Sequence, residues 1–370
     1  MPSVAPDASA PPTAPVAPEP APSPPATRQA GERVSIPAGT LRAGSAPGTP
    51  SRRPSVEADL LEVPLPAFSI DRLPYPNDPA QPPRLAGSRA EAASLCEARG
   101  QRLCHELEWE RACKGDGVAP FPTGETIDLG RCAADPSACA SPTGVLALGV
   151  RAPEWTASDA EPRLARLDRT VVARGGDLDE PLAAHRCAAR RAVAPEGQPL
   201  AFRCCAGSAP ELDYPEVGAH RMFDDLDVDR ATLRAALAGV PELAAYADAF
   251  ELYDRDNALR ALARGGATEA DMQWELAPGP FAWSPSSGEQ VWVLAGSSGD
   301  STLLAALYPM PDGSFLHAAS FIFAGETAPI AVLRTRVSRR ELLWSACWGC
   351  AGESGVIRFD DEARIVIAQQ

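Results

Sequence analysis

The sequence has no long apolar run and little positive charge. No stretch of about 18 consecutive apolar residues occurs, which is the length that a helix needs to cross a membrane. Lys and Arg together number 34 against 49 Asp and Glu, so that the net charge is −15. Because such an acidic chain repels phosphate backbones and shows no compensating basic patch, we expect no nucleic-acid partner.

The sequence also lacks the common catalytic and metal-binding motifs. It contains no G-x-S-x-G, no P-loop and no H-E-x-x-H, and its four His residues, at positions 105, 185, 220 and 317, are scattered. The segment "DDLDVDR" (224–230) begins like an EF-hand loop, but Arg230 stands where that loop needs Gly and Ala236 where it needs Glu. Asp229 is better interpreted as a helix N-cap. We therefore predict no catalytic residue, no metal ligand and no cofactor.

Cysteine, in contrast, is abundant. Of ten cysteines, eight lie between Cys96 and Cys205, and the others are Cys347 and Cys350. An even, clustered set indicates disulfides and an oxidising compartment, with buried free thiols as the alternative. The C-x-x-C motif at Cys347 is compatible with a redox pair or half a zinc site. No helix follows it and no second C-x-x-C occurs, so we interpret it as a disulfide clip over a tight turn.

The composition divides the chain into four segments. Residues 1–33 are so rich in Pro, Ala and Ser that they cannot bury enough apolar surface to fold, which predicts a disordered tether. We expect a Cys-rich domain over 34–209, a helical segment over 210–277 and an antiparallel β domain over 278–370. A tether ahead of a Cys-rich domain is typical of a mature envelope protein, although an interdomain linker has the same composition. We expect an exported protein, periplasmic, outer-membrane-tethered or extracellular, whose membrane contact, if it has any, is only through a removed N-terminal anchor.

Local patterns predict an α+β fold with much loop. Order begins near Val34, in a strand pattern that ends at Gly. Ser88, with Glu91 three residues later, predicts the start of a helix that ends at Gly100, and "CHELEWERACKG" predicts a second short helix ending near Gly115. Between 116 and 200, Gly, Pro and Asp predict loops with a few brief apolar runs.

The last 160 residues predict helices followed by strands. Apolar stripes at helical spacing, broken at Gly239-Val-Pro241, run through the helical segment: Leu233, Leu237, Leu243, Tyr246, Phe250, Tyr253, Leu259 and Leu262. After Phe281 the period changes to two, and seven short apolar runs alternate with turn residues. We expect an antiparallel meander or a barrel there.

Charged residues occur inside the apolar blocks of the Cys-rich domain. They lie among Trp109, Trp155 and Phe202, and burial of such charges requires pairing. We therefore predict buried Arg–carboxylate pairs, with solvent-exposed charges as the alternative. The predicted network consists of Arg102, Glu108, Glu110, Arg174, Arg186, Arg190 and Arg203.

Seven blocks within about residues 34–207 resemble the formylglycine-generating enzyme (sulfatase-modifying factor) family. In order they are "VSIPAGTLRAGS", "FSIDRLPYPN", "AASLCEARGQRLCHELEWERACKG", "GVLALGVRAPEWT", "RTVVARGG", "RCAAR" and "AFRCC". The third block, with GxRLxxExEWExAC, is the most specific. The resemblance implies a loop-rich, C-type-lectin-like fold held by disulfides, buried ion pairs and calcium.

The sequence departs from that family at both of its metal sites. Family enzymes carry two reactive cysteines between Gly-Gly and R-C-A-A-R, which bind copper(I) and oxidise a substrate Cys to formylglycine. Here the interval 177–186 contains no Cys and is a few residues shorter. The calcium loop Gly-Asn-Val-x-Glu-Trp reads "VRAPEW" (150–155), with Arg151 where an oxygen ligand is needed and only Glu154 left.

The resemblance also implies two disulfides, Cys96–Cys204 and Cys113–Cys187. Cys104, Cys132, Cys139 and Cys205 then remain, with three possible pairings. Cys205 points to the opposite side of an extended strand from its neighbour and should serve a different partner.

These observations favour a degenerate family member without catalysis. A rigid frame with variable loops suits a binding or scaffolding role toward a protein or glycan ligand. The alternative is a copper-dependent oxidase that generates formylglycine in sulfatases or related Cys-containing substrates.

Overall fold

A computed structural model describes residues 30–370 except 219, 269, 271–274, 278, 286–287, 326–327, 335–339 and 361–363. Of the predicted tether, residues 1–29 lie outside the described residues, and regular structure begins with a strand at Arg33, one residue before the predicted start. The fold is α+β, as predicted, with mainly antiparallel sheets and long loops.

Among the described residues the helices are few and short. They are α1 (Arg89–Glu97), α2 (Glu106–Lys114), α3 (Leu129–Ala134), α4 (Arg230–Ala238) and α5 (Arg255–Arg264), with 3-10 turns at Pro136–Cys139, Leu182–His185 and Ala244–Tyr246. Side-chain caps fix where they begin. The Ser88 hydroxyl accepts from the Glu91 amide at α1, His105 and Glu108 form a reciprocal capping box at α2, and Asp229 caps α4.

Residues 34–209, here called the first part, contain three small sheets. Their strands are β1 (Arg33–Ile36), β2 (Gly39–Gly44), β3 (Asp59–Leu65), β4 (Phe68–Asp71), β5 (Ala86–Ser88), β6 (Arg102–Leu103), β7 (Glu154–Asp159), β8 (Val171–Arg174), β9 (Arg190–Val193), β10 (Glu196–Phe202) and β11 (Cys204–Ala206). The hydrogen-bonded orders are β2-β3, β1-β4-β11-β6 and β5-β10-β7-β8-β9. The β10–β7 pair is parallel, whereas the other pairs of these sheets are antiparallel.

Two tryptophans mark the apolar cores of the first part. Trp109 of α2 packs with Leu148, Cys113 and Cys187, and Trp155 of β7 packs with Phe202. Both indoles are about 1% exposed, so each core is closed to solvent.

Residues 210–370, the second part, contain two further sheets. The strands are β12 (Phe223–Asp225), β13 (Phe250–Leu252), β14 (Glu275–Leu276), β15 (Phe281–Trp283), β16 (Val291–Ser298), β17 (Ser301–Pro309), β18 (Phe315–Phe323), β19 (Ala331–Arg334), β20 (Glu341–Ser345), β21 (Ser354–Phe359) and β22 (Ile365–Gln369). β16 to β22 correspond to the seven predicted runs. Together with β12 to β15 they form two open antiparallel sheets. One has the order β12-β15-β16-β17-β18, with β13 beside β16, and the other has the order β14-β19-β20-β21-β22. The predicted meander is therefore correct, and the strands within the described ranges do not close into a barrel.

The two sheets of the second part share one core. Trp283 and Val293 from one sheet and Trp344 and Ile357 from the other belong to the same buried cluster. Along β17, Leu304, Ala306 and Tyr308 face this cluster. The residues between them, Leu303, Ala305 and Leu307, face the opposite side and pack against α4. The helix α5 packs in the same way on β19. This two-sided burial explains why β17 reads as a continuous apolar run rather than an alternating one.

One predicted helical stretch has a different structure. Phe250 and Tyr253 were included in the apolar stripe of the helical segment, but Phe250–Leu252 is a strand that pairs with β16. The Phe250 ring lies over Gly296, where a side chain would collide with it. Long-range pairing with a glycine-containing strand therefore overrides the local helical pattern.

The two parts of the chain contact each other around a buried arginine. Arg52 of the first part lies with its Nη1 atom 3.6 Å from Oε1 of Glu289, and the Tyr308 ring rests on Gly48. Arg52, Glu289 and Tyr308 are each at most 6% exposed.

Candidate functional site

The helix α2 supplies the carboxylates at the centre of the first part. All nine of its residues are buried. Glu106 and Glu110 are four residues apart and therefore lie on one face of the helix. Glu108 points away from that face, to Arg102 at 2.5 Å.

Two arginines from neighbouring strands bind this acidic face. Arg174 of β8 places Nη2 2.8 Å from Glu106 and 2.9 Å from Glu110. Arg190 of β9 binds Glu106 through Nε at 2.7 Å and Nη2 at 2.8 Å. Lys114 lies 2.6 Å from Glu110, so that each buried carboxylate has at least one cation. The network therefore joins α2 to two adjacent strands.

Burial and pairing act in opposite directions on these groups. Burial alone would raise the pKa of the Glu106 carboxyl, but Arg190 and Arg174 outweigh it and hold that pKa below its ordinary value. Burial lowers the pKa of the Lys114 ammonium, with Glu110 opposing the shift. Burial also raises the pKa of Tyr214, whose ring lies 3.6 Å from the Arg190 guanidinium. The network is thus a structural element that is closed to solvent and in which each carboxylate contacts a basic side chain.

Two further pairs tie distant segments to the same frame. Arg186 donates to both oxygens of Glu57 at 2.7 Å, although 129 residues separate them. Arg203 binds Glu154 at 3.0 Å and donates to backbone carbonyls with its other nitrogens. Every arginine of the predicted network therefore has a carboxylate partner in the structure. Only Arg102 is more than slightly exposed.

Three carboxylates of this network are not predicted from the sequence. Glu106 shares the α2 face with Glu110, and its spacing could have indicated the role. Glu57 and Glu161, which binds Arg190 at 2.7 Å, lie in segments without a recognisable pattern. Their roles depend on contacts that only the fold creates.

The segment 177–186 is the interval in which the resemblance would place two reactive cysteines, and it contains none. The segment follows a tight backbone crossing, in which a Cβ atom on Gly175 would stand 2.3 Å from the Gly149 Cα atom and one on Gly149 would stand 3.0 Å from the Trp109 ring. It ends in the 3-10 turn Leu182–His185. Glu180 binds Arg191 at 2.7 Å, and its carboxylate accepts from the Asp177 amide at 2.9 Å. The segment is therefore held by ion pairs and hydrogen bonds.

His185 is the only histidine of that segment. It is fully buried, and its Nδ1 atom lies 2.8 Å from the Gly149 carbonyl oxygen. Its Nε2 atom has no hydrogen-bond partner among the described residues. A single imidazole does not reproduce the two thiolates with which the family binds copper(I), so these residues do not fit that ion.

Protein contacts fill the segment 150–155, where the resemblance would place a calcium loop. The Arg151 guanidinium donates to the Ala133 carbonyl at 2.6 Å. Glu154 accepts from Arg203 and from the Trp109 indole at 2.9 Å. A cation and a fully engaged carboxylate do not fit Ca²⁺, which needs six to eight oxygen ligands. Among the described residues, no three His, Cys, Asp or Glu side chains form a group that could hold a metal.

All ten cysteines are in disulfides. The pairs are Cys96–Cys204, Cys104–Cys205, Cys113–Cys187, Cys132–Cys139 and Cys347–Cys350. Two of them are the pairs that the resemblance implies, and one is the C-x-x-C clip. Of the three pairings left open, the structure has Cys104–Cys205 with Cys132–Cys139. Cys204 and Cys205 bond to different sides of β11, as alternation along a strand requires.

Two open grooves lie on the surface. One of about 430 Å³ is lined by α1 residues, including Arg89, and by Glu196 of β10. The other, of about 410 Å³, lies between Arg42 and Leu61 of the first part and Met310 of the second. Neither contains a residue of the buried network.

Comparisons with known proteins give structural likenesses that are distant. No family model matches the chain, and no curated protein matches it. The solved structure of PvdO from Pseudomonas aeruginosa is 18% identical, with a TM-score of 0.37, and the match covers 47% of this chain and 93% of PvdO. No helix within the described ranges is long and apolar enough to cross a membrane. Disulfides in this number are typical of proteins in oxidising compartments.

Proposed function

We propose that this chain is a non-catalytic relative of the formylglycine-generating enzymes, which acts as a binding or scaffolding protein of the cell envelope. The observation that carries the proposal is the pairing of all ten cysteines, none of them in the segment 177–186. The family's oxidation requires two thiols that can bind copper(I), and here every cysteine sulfur belongs to a disulfide.

The chemistry of the remaining site supports the same proposal. Glu180 is bound by Arg191, and His185 is closed off behind the crossing of Gly149 and Gly175. The segment 177–186 contains no thiol and no hydroxyl side chain. What the frame offers instead is loops held rigidly by ion pairs and disulfides, which is the property that a binding surface needs.

The experiment is an oxidase assay with a metal-binding arm. The full chain is incubated with copper, reductant, oxygen and a peptide that contains Cys-x-Pro-x-Arg, and the peptide mass is followed. We expect no aldehyde and no stoichiometric copper(I) retained against a chelator that competes for the ion. Conversion of the peptide would overturn the proposal and establish the alternative, a copper-dependent oxidase.

The binding role has its own test. The tagged full chain is cross-linked in intact cells, and cross-linked residues are mapped by mass spectrometry. We expect cross-links to a protein or glycan in an oxidising compartment, from loop residues of the first part. A chain that is found only with reduced cysteines in the cytosol would contradict the envelope assignment.

A further inference from the structure

The hairpin loop between β7 and β8 presents a leucine to solvent in a strained conformation. Leu167 is fully exposed, at 102%, which no other large apolar side chain described in this chain approaches. Its φ angle is 42°, in the left-handed region that a residue with a Cβ atom seldom adopts. Gly or Asn would fit this position without strain, so the leucine is not explained by the turn itself.

The loop holds this leucine rigidly. The Arg166 and Arg169 backbones hydrogen-bond to each other in both directions, which closes a tight turn around Leu167. Below the turn, Leu164 is buried with Val56 and Val172 and anchors the loop to the first part. An apolar side chain on a pre-formed tip loses little conformational entropy when it is buried by a partner.

Three arginines surround the tip. They are Arg163, Arg166 and Arg169, and none forms an ion pair with a carboxylate in the described part of the chain. Arg163 donates to the Gly218 carbonyl at 3.1 Å, and Arg166 donates to carbonyls of the loop itself at 2.8 Å. These hydrogen bonds fix the positions of the two side chains but do not neutralise their charges.

The neighbouring carboxylates do not cancel this charge. Asp159 binds Arg89 at 2.5 Å, and Glu161 binds Arg190 at 2.7 Å. Asp168 alone in the turn opposes the three guanidiniums. In a chain with a net charge of −15, this tip is a local positive pole. The tip therefore attracts an anionic partner, which the net negative charge of the chain repels elsewhere.

We propose that the tip of the β7–β8 loop, Arg163 to Arg169, docks the protein on an anionic phospholipid surface. The tip is convex and carries one projecting apolar side chain, so a folded protein partner would need a matching pocket, whereas an interface of lipid head groups and acyl chains does not. Leu167 enters the acyl boundary, and the guanidiniums bind lipid phosphates. The proposal goes beyond the proposed function and does not depend on whether the first part has enzymatic activity.

The test is sedimentation of the full chain with vesicles. Two compositions are used, phosphatidylcholine alone and phosphatidylcholine with 30% phosphatidylglycerol (about one anionic lipid in three). We expect binding to the anionic vesicles only, weakening as salt rises, because surface charges are screened. Leu167→Ser should weaken binding about 10-fold, from the transfer free energy of one leucine. Loss of each charge in Arg166→Gln and Arg169→Gln should weaken it about 5-fold.

Matched variants separate insertion from charge and folding. Leu212→Ser removes another exposed leucine, and Arg221→Gln removes another exposed arginine; both should bind like the parent. Leu167→Asn relieves the backbone strain, so it should melt at the same or a higher temperature and yet bind as weakly as Leu167→Ser. In Leu167→Trp, the indole fluorescence should shift to the blue only with anionic vesicles.

Other outcomes would overturn the proposal. Equal sedimentation with both vesicle types, or no loss in Leu167→Ser, means that the leucine does not insert. If millimolar glycerol phosphate displaces the protein from the vesicles, the tip is a site for free phosphate. If polyglutamate competes with the vesicles equally well in the parent and in Leu167→Ser, the partner is an acidic protein. Absence of binding to either vesicle refutes it directly. None of these results alters the oxidase assay, so the two proposals fail separately.

Discussion

Three ionisable side chains of the first part, His105, Glu57 and Glu106, respond to acid in the same direction. Burial lowers the pKa of His105 below its ordinary value of 6.5, against the attraction of Glu106 and Glu108. For Glu57 and Glu106, burial would raise the pKa, but their arginine partners hold it below the ordinary value of 4.5. In each case the unfolded chain takes up a proton at a higher pH than the folded one does.

These shifts predict how stability depends on pH. Well above pH 6.5, His105 is neutral in both states and contributes nothing to the pH dependence of the free energy of unfolding. This free energy should fall first as His105 of the unfolded chain protonates, and more steeply below about pH 4.5, where the carboxyls do. Urea unfolding at half-unit pH steps measures this profile. His105→Asn, which keeps a capping side chain at α2, should remove the upper step alone, and an unchanged profile in this variant would contradict the assignment.

At the scale of elements, the disulfides differ in how much chain they close. Cys113–Cys187 ties the end of α2 to a segment 74 residues away, whereas Cys132–Cys139 spans 7 residues at α3. A cross-link stabilises by removing conformations from the unfolded chain, and the effect grows with the logarithm of the loop length.

The two bonds should therefore contribute unequally. Replacement of both cysteines by alanine should lower the free energy of unfolding by about 4 kcal/mol for Cys113 and Cys187, and by about 2.5 kcal/mol for Cys132 and Cys139. Guanidinium unfolding of the two double variants measures the difference. Because both remove two buried sulfurs, each variant is a control for the other. Equal losses would show that the stabilisation does not come from loop closure.

Elements with local signals could be predicted from the sequence. The caps at Ser88 and Asp229 and the strands β16 to β22 follow from residues within a few positions. Arg174 and Arg203 could be identified because charge inside an apolar block requires a partner. Their partners, and the strand at Phe250, could not, since these depend on segments brought together across the chain. The loop tip at Leu167 was missed for a related reason, because its exposure and φ angle exist only in the fold.

At the scale of the whole molecule, the contact around Arg52 decides whether the two parts unfold together. Its guanidinium binds Asp59 in the first part and faces Glu289 in the second, and burial lowers its pKa against the attraction of Glu289 and Glu57. The Tyr308 hydroxyl beside it has no hydrogen-bond partner among the described residues. The separate domains predicted from the sequence meet at this junction.

Arg52→Met tests the coupling between them. The substitution removes the cation that the buried Glu289 shares with the half-buried Asp59, and loss of one partner of a buried pair typically costs about 3–5 kcal/mol. We expect a single calorimetric transition in the parent and two resolved transitions in Arg52→Met, because the loss falls on the contact rather than on either core. Arg221→Met, at an exposed arginine, should leave the transition unchanged. Tyr308→Phe should change stability by less than about 1 kcal/mol, since it removes a hydroxyl that makes no hydrogen bond here. If Arg52→Met unfolds in one transition at a lower temperature, the two parts form one cooperative unit, and the domain boundary predicted near residue 209 is wrong.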